Sequence, residues 1–184
     1  VGSLRWRKGH KFAVQAFASV AEKFPELKFV IVGKKYSDHY LNKLRNTIKE
    51  LNLEGRVHIF TEVDSRAELV NFYRQAELFC LFSQNAGHDL EGFGLVFLEA
   101  AASGLPIVGS RGSGVEDAVL DGKNALLVDA HDKSAFAEAI IKILSSDSLR
   151  QKMATESIAF ARASGWDKKI SAYADIYAQL GNSK

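Results

Sequence analysis

Two apolar rhythms alternate along this chain. Phe12, Ala16, Phe17, Val20 and Phe24 recur at helical spacing, and the run Leu27–Gly33 then reads as a buried strand closed by glycine. Leu41, Leu44, Ile48 and Leu51 return to the helical period, and Arg56–Phe60 is a short strand. Ser65-Arg-Ala-Glu68 has the form of a capping box, opening a helix that carries Leu69, Phe72 and Tyr73. Leu78–Phe82, Pro106–Val108 and Ala125–Val128 read as further strands, with a helical segment between Glu91 and Ser103. Asp132 can cap a helix through Phe136, Ile140, Ile143 and Leu144. After it the strands stop. Leu149–Ala163 and Trp166–Leu180 both read as helices, broken at Ser164-Gly165.

Strands alternating with helices predict an α/β fold, a Rossmann-like parallel sheet with helices on both faces and extra helices at the end. The opening Val1-Gly-Ser-Leu looks like the end of a strand already in progress. In open parallel sheets, ligands bind outside the carboxyl ends of the strands. Three loops at such ends are chemically distinctive: Ser3–Lys8, Ser83–Phe93 and Ser110–Gly114.

Composition narrows the class. At 184 residues the chain suits one compact domain with a sizeable core. A net charge of +2 gives no ground for a nucleic-acid partner. The single cysteine, Cys80, cannot form an internal disulfide, and it reads as an inert buried thiol in a reducing compartment. That agrees with a cytoplasmic location. No apolar run approaches membrane-spanning length, which leaves peripheral association at the inner face of a membrane open. His10, His39, His58, His88 and His131 are scattered, so no metal is expected.

The stretch Glu91-Gly-Phe-Gly-Leu-Val-Phe-Leu-Glu99 carries the most chemistry. Glu99 is the only charged residue between Glu91 and Arg111 and is flanked by Leu95–Leu98 and Ala100–Ala102. A segment apolar all round is normally buried, and a carboxylate there is costly without a hydrogen-bonding partner. Side chains on a helix lean toward its N-terminus, so Glu99 can reach back to the loop end. There Gly92 and Gly94 leave backbone N–H groups beside Glu91. That combination suits a ligand with both phosphate and hydroxyl groups. Glu91 alone is equally explained as a favourable charge at the helix start. In the first loop, Arg5, Arg7 and Lys8 precede a helix and suit a diphosphate, although a solvated basic turn explains them as well. Gly109-Ser-Arg-Gly-Ser-Gly114 lacks dinucleotide-fingerprint spacing and reads as a tight turn opening a short helix.

Together these residues resemble the C-terminal, donor-binding domain of retaining GT-B glycosyltransferases, the glycosyltransferase family 4 group. The resemblance spans nearly the whole chain. It rests on Val1-Gly2 with Lys8-Gly9, Phe29–Gly33, Glu91-Gly-Phe-Gly-x4-Glu99, Ala102–Val108, Gly112–Glu116, and Asp121-Gly122 with Ala125–Val128. It implies that residues 1–184 bind a nucleotide sugar such as a UDP or GDP sugar, with no cofactor and no metal. It also implies transfer of a hexosyl group with retention, as in polysaccharide biosynthesis. A glycan or lipid-linked acceptor would be held by an N-terminal domain absent from these residues, so the domain alone would be inactive. By the same resemblance, Lys8 contacts the diphosphate, Glu91 the transferred sugar and Glu99 the ribose. Lys8 and Glu91 are thus the catalytic pair. The backbone at Gly92, Phe93, Gly94 and Leu95 faces sugar and phosphates, Val63 within Thr61–Asp64 reads the base, and Gly2, Ser3 and Arg5 complete the donor site. Ser3 stands where the family usually has arginine, with Arg5 and Arg7 the nearest replacement charges. The alternatives are a non-catalytic nucleotide-sugar-binding domain and another GT-B-fold enzyme such as a sugar-nucleotide epimerase.

Overall fold

The structure, a computed structural model, describes residues 1–63, 65–84 and 92–181. Its elements alternate as the apolar rhythms predict. They run α1 (His10–Lys23), β1 (Phe29–Val32), α2 (Asp38–Glu50), β2 (Val57–Phe60), α3 (Arg66–Gln75), β3 (Phe79–Leu81) and α4 (Leu95–Ala102). Then follow β4 (Ile107–Ser110), β5 (Ala125–Val128), α5 (Lys133–Leu144), α6 (Asp147–Ala163) and α7 (Trp166–Gly181). The caps are local and chemical. Ser65 Oγ accepts from the Glu68 amide at 3.0 Å, and Asp132 Oδ1 accepts from the Ala135 amide at 2.8 Å. Each satisfies one of the orphan donors that open a helix.

All strand pairs are parallel, but the ladders form two sheets: β1 with β2, and β3-β4-β5. A cavity of about 850 Å³, lined by Phe29, Val30, Val32, Phe79 and Cys80 among others, lies beside both β1 and β3. The half-buried Cys80 is a free thiol. At the carboxyl ends of the strands the opening segment ties the two sheets together. The amides of Gly2 and Leu4 donate to the carbonyls of Val32 and Lys34 at 2.9 and 3.0 Å. On the other side, the Gln84 amide just beyond β3 donates to the Arg7 carbonyl at 2.6 Å. Val1–Leu4 is not a strand, contrary to its apolar look: it meets the chain at and just beyond the end of β1, with one isolated parallel bridge from Leu4 to Lys35.

Side chains alternate across a strand, so neighbouring residues feed opposite faces. Val108 and Phe82 join one core with Phe17, Leu44, Phe136 and Ile143. Ile107, Phe79 and Leu127 join a second core with Tyr73, Phe97 and Val115. This places helices on both faces and makes all four residues of β4 buried. Helix α7 differs: Trp166, Tyr173 and Tyr177 remain exposed. Among the described residues, no helix is long and apolar enough to cross a membrane.

Candidate donor site

The described parts of the three loops picked out above meet at the carboxyl edge of the sheets. Ser110 Oγ at the end of β4 donates to the Ser83 carbonyl at 2.7 Å, joining the ends of β3 and β4. The Gly112–Gly114 turn lies against the start of the α4 loop. A Cβ on Gly114 would sit 1.2 Å from the Gly92 carbonyl oxygen, so only glycine fits. Lys8 ends a short 3-10 turn, Trp6–Lys8, and is buried. Gly9 then turns the chain into α1 with φ of 64°, pressed against the Phe82 carbonyl.

Beside these loops opens a cavity of about 980 Å³. Gly2, Ser3, Val63 and Glu99 line it, bringing together three parts of the chain that are far apart in sequence. Lys8 adjoins it: a Cβ on Gly2 would lie 3.8 Å from Lys8 Cδ and Cε. Arg5 is turned elsewhere, with its guanidinium carbon 4.0 Å from the centre of the Tyr36 ring, a cation–π contact. Gly92–Leu95 enter α4 as expected, with Gly94 at φ 75° and the Phe97 amide donating to its carbonyl. Glu91 lies outside the described residues, as do Asp64, Asn85, Gly87, His88 and Asp89.

One expectation needs correction. Helix α4 is not buried all round. Phe97, Ala100 and Ala101 face the core, whereas Leu95 is 58% exposed and Glu99 is exposed. The helix packs on one side only, and its apolar composition does not report which side. Glu99 therefore sits on the cavity wall, where water and a neighbouring hydroxyl can solvate it. That neighbour is Tyr73 of α3, whose hydroxyl donates to Glu99 Oε2 at 2.8 Å. Burial, with the adjacent Glu99 carboxylate second, pushes the Tyr73 phenol far above its ordinary value. Sequence reasoning placed Tyr73 on a helix face and assigned it no function. Its polar tip at the end of an apolar ring was the available signal. Lys34, Arg66 and Arg74 also line the cavity and were likewise missed. Among the described residues, no group of His, Cys, Asp or Glu could hold a metal ion.

Residues 1–160 match the family model described as glycosyl transferases group 1. The chain belongs to that family. Within it, the D-inositol 3-phosphate glycosyltransferase of Corynebacterium glutamicum (strain R) is 32% identical over 180 residues, which is 96% of this chain and 42% of that protein. A GDP-mannose-dependent alpha-(1-6)-phosphatidylinositol monomannoside mannosyltransferase of Mycolicibacterium smegmatis is 33% identical over 140 residues, 75% of this chain and 36% of that one. The chain thus spans about two fifths of the length of the curated relatives it matches. Among solved structures, sucrose-phosphate synthase from Thermosynechococcus elongatus superimposes with a TM-score of 0.82 at 26% identity, over 100% of this chain and 45% of that one. The C-terminal domain of a group 1 glycosyl transferase, LpcC from Francisella tularensis, gives 0.79 at 22% identity, over 89% and 82%. Anabaena Alr3699/HepE in complex with UDP gives 0.80 at 23% identity, over 98% and 48%. These likenesses fix the Rossmann-like fold of this group 1 domain.

Proposed function

We propose that residues 1–184 form the donor-binding half of a retaining hexosyltransferase, with the acceptor held by a preceding N-terminal domain. The observation that carries this reading is the cavity at the carboxyl edge of the strands. There an exposed carboxylate, Glu99, lines one opening with Gly2, Ser3 and Val63, and the buried Lys8 lies beside Gly2 at its edge. A nucleotide sugar has matching parts: ribose hydroxyls to donate, a diphosphate to receive cations and N–H groups, and a sugar beyond it. Glu99 accepts from the ribose, Lys8 meets the diphosphate, and the backbone at Gly92–Leu95 faces phosphate and sugar. Val63 borders the base, and Glu91 accepts from the transferred sugar. The GDP-mannose-dependent relative and the neighbour solved with UDP support a uridine or guanosine diphosphate donor. No metal is required in this scheme.

Charge explains the mechanism. When the bond from sugar to phosphate breaks, negative charge grows on the departing diphosphate. A prepositioned ammonium and fixed N–H dipoles stabilise that charge best where water is excluded. The developing positive charge on the sugar meets Glu91. A non-catalytic binding domain is the second reading. It draws on Ser3 in the position of the family arginine and on Arg5 being engaged with Tyr36.

Thermal-shift measurements with UDP, GDP and ADP test donor binding. A matching ligand at a hundred times its dissociation constant adds roughly 2.7 kcal/mol of stability. Residues 1–184 alone should bind such a ligand without transferring sugar, whereas the full chain transfers. Sugar transfer by residues 1–184 alone would overturn the division of labour. Intact donor binding with no turnover by the full chain would favour the second reading.

A further inference from the structure

We infer that Tyr73 is a positioning residue for the donor. Its hydroxyl holds the Glu99 carboxylate in the orientation that accepts from the ribose. The inference rests on the assignment of Glu99 to the ribose given above, and adds to it the group that fixes that carboxylate.

The geometry is specific. Tyr73 is 4% exposed, and its ring packs against Phe79, with the centroids 6.0 Å apart, inside the same core that holds Phe97. The ring has little freedom, so its hydroxyl is a fixed point on the cavity wall. That hydroxyl lies 2.8 Å from Glu99 Oε2 and 3.5 Å from the Val96 carbonyl. The shorter contact takes the proton. Because the phenol is held far above its ordinary value, it remains a donor at every working pH. A carboxylate offers about four lone-pair sites, and Tyr73 occupies one of them. The remainder can serve a ligand.

Exposure makes the tether matter. An exposed glutamate samples several rotamers, and a ligand that captures one of them must bear that lost freedom. Tyr73 removes it beforehand. A phenylalanine would fill the same core space, so core packing alone does not call for the hydroxyl.

The test uses the full chain with UDP, GDP and ADP, each paired with its 2′,3′-dideoxy analogue, and isothermal calorimetry beside melting temperature. Tyr73→Phe should weaken the best ribonucleoside diphosphate about ten-fold, the scale of one hydrogen bond to a charged group. It should leave the dideoxy analogue unchanged. In a Glu99→Gln background the same substitution should produce no further discrimination. Equal weakening of both ligands, or no weakening of either, overturns the inference. If Glu99→Gln discriminates and Tyr73→Phe does not, the ribose assignment stands and Tyr73 falls. If neither discriminates, or no nucleoside diphosphate binds the unmodified chain, the ribose assignment falls first. Should Tyr73→Phe not fold, Glu99→Asp shortens the arm from the solvent side and cannot span Tyr73 and ribose together. A normal ribose preference in that variant also overturns the inference.

Discussion

Lys8 is a charged residue that the fold buries, and its methylenes run beside Gly2 at the rim of the proposed donor cavity. If its ammonium meets the diphosphate, Lys8→Ala should cost about 1.5–3 kcal/mol of affinity for a nucleoside diphosphate. The bare nucleoside should lose almost nothing. Calorimetry with both ligands decides, and equal losses would remove Lys8 from the phosphate site. His10, two residues on, makes a different prediction. Burial drives its imidazole down to about 3, so it stays neutral in the folded chain. In the unfolded chain it takes up a proton below about 6.5. Its contribution to stability is therefore intact above that value and is lost as the pH falls toward 3. Between pH 7 and pH 5 this one group should remove about 2 kcal/mol. Urea unfolding at the two pH values should show a shallower fall in His10→Gln than in the unmodified chain.

The turn that carries Lys8 depends on the residue after it. Gly9 has φ of 64°, and a Cβ there would lie 1.6 Å from the Phe82 carbonyl oxygen. The left-handed conformation alone costs a non-glycine residue about 1–2 kcal/mol, and the backbone overlap adds to that. Gly9→Ala should lower the melting temperature by roughly 5 °C or more, and should weaken diphosphate binding because Lys8 moves with it. An unchanged melting curve would mean that the turn yields freely. Much at this scale was legible in the sequence. Ala125–Val128 is a strand with the expected ends, and Ser65 and Asp132 cap the helices their spacing announces. These signals are local. The expected strands Leu27–Gly33 and Leu78–Phe82 contract to Phe29–Val32 and Phe79–Leu81 because ladder hydrogen bonds, not apolarity, set strand ends. The exposed face of α4 and the bond from Tyr73 to Glu99 were not legible. Both depend on which helices lie alongside, and residues 26 positions apart share no local pattern.

At the scale of the whole molecule, the family and the α/β architecture follow from patterns spread over most of the chain, whereas the separation into two sheets does not. The strands of both sheets carry the same parallel, apolar signature. What distinguishes them is a join that only the folded chain reveals. Gly2 and Leu4 are bonded to the end of β1, and Arg7 to Gln84 beyond β3, within one short segment that leads into Lys8. This stretch acts as a rivet between two plates, and the proposed diphosphate contact sits on the rivet. The plates should breathe about it, and a bound nucleotide should damp that motion in both. Hydrogen exchange would then slow not only around Val63 and Glu99 but also at the Leu4 and Gln84 amides, where the rivet grips each plate. The slowing should disappear in Lys8→Ala. Protection confined to the cavity wall would mean that the rivet holds equally well with the site empty. Otherwise, donor occupancy sets how stiffly the two halves of this domain move together.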